Sequence, residues 1–215
     1  MASLEEAQLA IKSGADAIGL VGAMPSSRGA IDEHTIAAIA SAVPPPIATF
    51  LLTSASTAEN IAKQVGRTGP STVQIVTHIE PEESERLVSL LPMTRRVQVI
   101  HVEDERALDL IPRYARNVHA FLLDSGRLSL STPEYGGTGR IHDWNVSAEF
   151  VRRSPLPVFL AGGLSPNNVG EAIRRVRPFG VDVCSGVRTN GRFGRLDEEK
   201  LVAFIDAVRH ADSGR

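Results

Sequence analysis

The sequence predicts an α/β protein assembled from parallel βα units, and three observations predict it. Short apolar runs of strand length alternate with segments of helical spacing along the whole chain. Several of these runs are continuous instead of alternating apolar with polar residues, as strands buried on both faces require. The chain opens on a helix, and about seven strand candidates and eight helices in all alternate along it. Periodicity alone does not separate a closed barrel from an open doubly wound sheet. A complete (β/α)8 barrel begins with a strand, so as a barrel this chain is expected to lack the first β-strand.

The first helix carries Leu4, Ala7 and Ile11 on one face, with Ser3 and Glu6 as a capping box, and ends at Gly14. Asp16–Val21 follows as the first apolar run. Further strands are expected at Ile47–Leu52, Thr72–Val76, Val97–Val102, Ala120–Leu123, Pro157–Ala161 and Val181–Cys184. Between them, Ser56 with Glu59 reads as a second capping box, and Ser165 before Pro166 as a helix cap and first turn. Leu201, Phe204, Ile205 and Val208 form the stripe of a closing helix. Pro44-Pro45-Pro46 is short enough to be a stiff turn, and no linker or low-complexity tract divides the chain, so residues 1–215 are expected to form a single (β/α)-barrel domain.

Composition narrows the function classes. A formal net charge of −2, with arginines scattered along the chain, leaves no footprint for nucleic acid. The single cysteine, Cys184, excludes an intrachain disulfide framework and a cysteine-clustered zinc site, and fits a reducing compartment. No apolar run is long enough to span a bilayer, and the acidic start Met1-Ala2-Ser3-Leu4-Glu5-Glu6 is unlike a signal peptide, so no membrane partner and a cytoplasmic location are expected.

The residues that carry chemistry lie in the second half. Leu122-Leu123-Asp124-Ser125 ends a buried strand in a carboxylate, and desolvation there lets an acid hold its proton near neutral pH. Asp124 is therefore a candidate acid. The glycine-rich stretch Glu134-Tyr135-Gly136-Gly137-Thr138-Gly139 follows it and suits a loop folded over a ligand. The same residues also suit a loop cap and ordinary turns. Two later segments favour a ligand: Ala161-Gly162-Gly163-Leu164-Ser165 and Cys184-Ser185-Gly186-Val187 follow successive strands. Barrels commonly bind phosphate at their last two βα turns, through free amides and without a basic side chain. The expected phosphate-binding set is Gly162, Gly163, Ser185 and Gly186, joined by Gly137.

In combination, Thr132–Gly139, Asp143-Trp144, Ala161–Pro166, Arg177–Val187 and the early Ser13–Gly19 resemble the phosphoribosylanthranilate isomerase family over essentially the whole chain. The resemblance implies a TIM (β/α)8 barrel. It implies an aldose–ketose isomerase of tryptophan biosynthesis that rearranges N-(5'-phosphoribosyl)anthranilate to the carboxyphenylamino-deoxyribulose phosphate, with no metal or organic cofactor. The partner implied is that small phosphorylated sugar–anthranilate substrate, bound by a monomer or homodimer. By resemblance, Asp124 is the general acid for the ribose ring oxygen, and a cysteine on the family's first strand is the base. Arg28 matches the arginine that pairs with the anthranilate carboxylate, Asp182 an aspartate near the substrate amine, and Gln74 a glutamine on the family's fourth strand.

The departures are specific. The family's Lys-Ile-Cys-Gly motif is absent, and the expectation is a reading frame begun at a methionine downstream of it. Val76 fills a position where the family commonly shows histidine, with His78 two residues on, and Arg188 stands where many members carry glutamate. Cys184 reads as a small buried residue, not a substitute base. His101 reads as a core or rim histidine and His142 as loop structure. The alternatives are a phosphosugar-binding relative without turnover, or another phosphate-binding barrel isomerase.

Overall fold

The computed structural model describes residues 1–24, 29–127, 139–192 and 194–213. Arg28 and Gly137, both expected at the site, lie outside them. The strands β1 (Ala17–Val21), β2 (Ala48–Thr53), β3 (Thr72–Ile75), β4 (Arg95–His101), β5 (Ala120–Asp124), β6 (Val158–Leu160) and β7 (Gly180–Val181) follow one another in chain order in a seven-stranded sheet. The helices between them are α1 (Leu4–Ser13), α2 (Glu33–Ala42), α3 (Ala58–Thr68), α4 (Pro81–Leu90), α5 (Leu110–Tyr114), α6 (Trp144–Arg153), α7 (Val169–Val176) and α8 (Glu198–Asp212). A short strand β8 (Thr189–Arg192) precedes α8. Contacts group these elements into two compact units, Met1–Val99 with Arg116–His119, and Ile100–Ala115 with Ala120–Arg215.

In the first unit, β1, β2, β3 and β4 pair in parallel, with Leu20 opposite Leu51 and Ile75 opposite Gln98. Ile18, Leu20, Leu51, Val73 and Ile75 are buried, as are Ile36 and Ile39 of α2 and Ile61 of α3. Each such aliphatic side chain stabilises the fold by about 1.5–3 kcal/mol. Buried polar side chains of the sheet bond to the main chain, although Gln98 Oε1 has no partner. Thr49 and Ser71 exchange two amide-to-hydroxyl bonds of 2.9 Å. The Gln98 amide donates to the carbonyls of Ile75, Thr77 and Val99. At the other end of β4, the buried Arg96 guanidinium donates to the carbonyls of Asn117 (2.9 Å), Leu91 (2.8 Å) and Thr94 (3.4 Å).

The helix starts differ from expectation in instructive ways. Ser3 does cap α1, accepting from Glu6 N–H at 3.3 Å, but the Glu6 carboxylate reaches Ala2 N–H. Ala7 and Ala10 are buried there, whereas Leu4 is exposed. The Ser56–Glu59 box is not made. Thr57 is the residue before α3, and the first amide, Ala58 N–H, donates to Glu83 of α4 while Glu59 pairs with Arg86 of α4. A neighbouring helix supplies the carboxylate that the local motif offered. Likewise α7 starts at Val169, not behind Ser165, because Ser165–Asn168 forms a turn in which Asn168 Oδ1 accepts from Ser165 N–H and Asn168 Nδ2 donates to the Gly163 carbonyl.

In the second unit, β5, β6 and β7 pair in parallel, with Leu123 opposite Leu160 and Leu160 opposite Val181. Phe121 and Phe150 of α6 meet edge to face in the core, 5.3 Å between ring centroids. The last expected strand, Val181–Cys184, is cut to the two residues of β7. Asp182 N–H still donates to the Leu160 carbonyl, after which the backbone turns at Cys184 into a short 3-10 turn, Ser185–Val187.

Candidate active site

The second unit brings Asp124, Asp182 and both glycine turns together. Ala161 N–H donates to the Leu123 carbonyl and Asp182 N–H to the Leu160 carbonyl, so pairing continues one residue beyond the named strands. Asp124, Ala161 and Asp182 are therefore register neighbours at the C-terminal ends of three adjacent strands. Paired residues of parallel strands project to the same face, which places the two carboxylates on one side of the sheet, two strand spacings or about 10 Å apart along it.

Each carboxylate is perturbed. Asp124 is partly buried, and desolvation raises its pKa to about 6 against the opposing pull of the Ser125 amide and hydroxyl. Ser125 N–H donates to Asp124 Oδ1 at 2.7 Å. Asp182 keeps open surface yet is ringed by enough protein that burial raises its carboxyl to about 6 as well, with the charge of Asp124 the next cause. Two groups whose charges oppose one another and whose solvent shells are thinned are poised to carry protons near neutrality. Gln74, on β3 of the other unit, is buried and opposite Val97. Val76 is buried one residue past the end of β3.

The glycines owe their identity to close packing of one loop on another. Gly162 and Gly163 adopt φ of 82° and 67°, which other residues rarely tolerate. A β-carbon on Gly162 would lie 3.0 Å from Ser125 N and 3.0 Å from His142 Nδ1; one on Gly163 would lie 2.7 Å from the Arg140 carbonyl. The limb 139–142, returning from the β5–α6 connection, thus rests directly on the turn. One unit later, a β-carbon on Gly186 would overlap the Leu164 carbonyl oxygen, so the Ser185–Gly186 segment is pressed against the first glycine turn. Gly139 approaches the same place, its β-carbon direction meeting Ser185 Oγ at 3.9 Å. Three main-chain segments converge here without a bulky side chain between them.

Cys184 is not the small buried residue expected. It is exposed, because the strand ends before reaching it. Surrounding protein nonetheless raises the thiol pKa, desolvation outweighing the nearby Arg188 charge, so it is a poor source of thiolate. Sequence reasoning also missed His142. Its only signal was a serine five positions on, Ser147, whose Oγ lies 2.8 Å from His142 Nε2. Among the described residues no cluster of side chains could hold a metal ion, and no helix is long and apolar enough to cross a membrane.

With this geometry in hand, comparisons with known proteins are specific. The family model described as N-(5'phosphoribosyl)anthranilate (PRA) isomerase matches residues 1–207. A protein of Methanosarcina mazei named N-(5'-phosphoribosyl)anthranilate isomerase 2 is 36% identical over 208 residues, 96% of this chain and 90% of that protein. The crystal structure of phosphoribosyl anthranilate isomerase from Thermotoga maritima superposes with a TM-score of 0.82 at 28% identity, covering 98% of this chain and 96% of that one. A phosphoribosyl anthranilate isomerase solved in complex with reduced 1-(o-carboxyphenylamino)-1-deoxyribulose 5-phosphate has a TM-score of 0.80 at 25% identity, covering 98% and 95%. The fold class is accordingly that of the (β/α)8 barrels, here with seven strands in the parallel sheet.

Proposed function

The chain belongs to the N-(5'-phosphoribosyl)anthranilate isomerase family, and from that premise we propose how its own residues carry the aldose–ketose isomerisation of tryptophan biosynthesis. The observation that carries the reading is Asp124: a carboxyl at a strand end, its pKa raised to about 6 by burial, beside the Gly162–Gly163 turn. Asp124 donates its proton to the ribose ring oxygen. The bond from that oxygen to C1' then breaks with its electron pair on oxygen, and the nitrogen lone pair forms the C1'–N double bond. Loss of the C2' proton to a base gives the enolamine, which takes up a proton at C1' as its 2'-hydroxyl gives up a proton and becomes the carbonyl of the ketose.

Asp182, in register with Asp124 and repelled by it, faces the substrate nitrogen. The amides of Gly162, Gly163, Ser185 and Gly186 take the phosphate, together with that of Gly137. Arg28 holds the anthranilate carboxylate and Gln74 contacts the substrate from β3. The reaction uses no cofactor, and the enzyme works in the cytoplasm on this phosphorylated small molecule.

The test is Asp124→Asn. Turnover of phosphoribosylanthranilate should fall by about 10²–10⁴-fold, the usual contribution of a general acid, while affinity for the reduced product analogue stays within about two-fold. Retained turnover would remove the acid from Asp124. An unmutated chain that binds the analogue without turning over substrate would instead be a phosphosugar binder.

A further inference from the structure

His142 has no part in the chemistry above, yet its surroundings are those of a group that holds something in place. It precedes Asp143, the N-terminal cap of α6, on the limb that returns from the β5–α6 connection. Nε2 lies 2.8 Å from the hydroxyl of Ser147, a fully buried residue of α6. Nδ1 is buried without a hydrogen-bond partner. A side chain that only filled space would serve better without that nitrogen, since an unpaired buried polar atom costs stability.

The ring and Ser125, the residue after the acid, both approach the Gly162 turn. The position a β-carbon would take on Gly162 is 3.0 Å from His142 Nδ1, 3.0 Å from Ser125 N and 3.1 Å from Ser125 Cβ, so imidazole, serine and glycine crowd about one point. Ser125 N–H is the group that donates to Asp124 Oδ1. The charge acting on the ring is that of Asp143, the next residue, with Arg140 two residues back on the same limb. Desolvation lowers the imidazole pKa to about 4 against the pull of Asp143, so the ring is neutral where the enzyme works.

We propose that His142 is a positioning residue for the proton donor: tied to Ser147 through Nε2, the ring braces Ser125 against the Gly162 turn and so fixes the direction of the Asp124 carboxyl. The inference rests on Asp124 as the acid, and its test keeps the two apart. The Asp124 carboxyl is followed by carbon-13 NMR of the full chain, its resonance assigned by loss in Asp124→Asn. In His142→Ala, freeing Ser125 admits water to the carboxyl, and the Asp124 midpoint should fall by about 1 pH unit. His142→Phe keeps the bulk but not the tie to Ser147, and it decides the matter should the alanine variant fail to fold; the midpoint should fall there too.

In either folded variant kcat should drop about ten-fold with KM nearly unchanged, the mark of misdirected chemistry as opposed to lost binding. An Asp124 midpoint unmoved in a folded His142 variant overturns the inference, even where Asp124→Asn abolishes turnover. Full turnover by Asp124→Asn, with the midpoint shift still seen in His142→Ala, would instead overturn the assignment of the acid.

Discussion

Arg96 and Asp124 are both charged residues set against buried strand ends, one in each compact unit, and they are treated in opposite ways. Arg96 is 6% exposed, and three main-chain carbonyls accept from it, while His119 Nδ1 accepts from its own amide. Fixed dipoles answer its charge locally, although burial still lowers its pKa. Asp124 has the amide and hydroxyl of Ser125, the next residue in the chain, and desolvation wins. Arg96, a charge that serves the fold, is committed to three carbonyls through Nε and Nη1. Asp124, the proposed proton donor, is held through Oδ1 alone, by the next residue, and the fold bears the cost of its burial.

That contrast is sharpened by removing the structural charge first. Arg96→Met keeps the length of the side chain but strips the donor from three carbonyls. The expected loss is about 3 kcal/mol or more, a fall in melting midpoint of about 6–12 °C, with turnover per folded molecule unchanged. A stable Arg96→Met protein would break the comparison, since the guanidinium would then be no more committed than the carboxyl. Gly163→Ala has a smaller and differently placed effect. Its methyl would meet the Arg140 carbonyl at 2.7 Å from a backbone at φ 67°, lifting the returning limb from the turn. KM should rise about ten-fold, with a stability loss of about 1–3 kcal/mol. An unchanged KM, with inorganic phosphate competing as before, would separate that turn from anion binding.

The two regions were also unequally legible in the sequence. Strands buried on both faces announce themselves as apolar runs, so β1 to β6 fall within a residue or two of where Asp16–Val21, Ile47–Leu52 and their successors place them. Asp124 and the paired glycines stood out because a carboxylate after Leu122-Leu123, or two glycines after a strand, breaks a hydrophobic pattern. What stayed hidden depends on contacts between distant residues. Nothing local says that Glu83 will cap α3 in place of Ser56, or that Asn168 will close a turn where Ser165 was expected to start a helix. Nor does sequence reveal that His142 faces Gly162, since the two meet only after the β5–α6 connection has returned.

The last expected effect concerns pH, and it sets the Asp124 carboxyl against the His142 imidazole. Folding raises the Asp124 pKa from 3.8 to about 6, so between those values the native state binds more protons than the unfolded chain and stability falls as pH rises. Folding lowers the His142 pKa from 6.5 to about 4, so between those values the unfolded chain binds more protons and stability rises with pH, being fully present above 6.5. The two slopes oppose one another over nearly the same window. Asp124→Asn removes one of them. Its melting midpoint should match the unmutated chain near pH 4, exceed it by up to about 6–12 °C above pH 6, and climb more steeply between. His142→Phe should do the reverse, gaining most at low pH. Parallel melting curves for the three proteins across that range would mean that neither group is desolvated as its surroundings imply, and the distinction between an answered charge and an open one would fail.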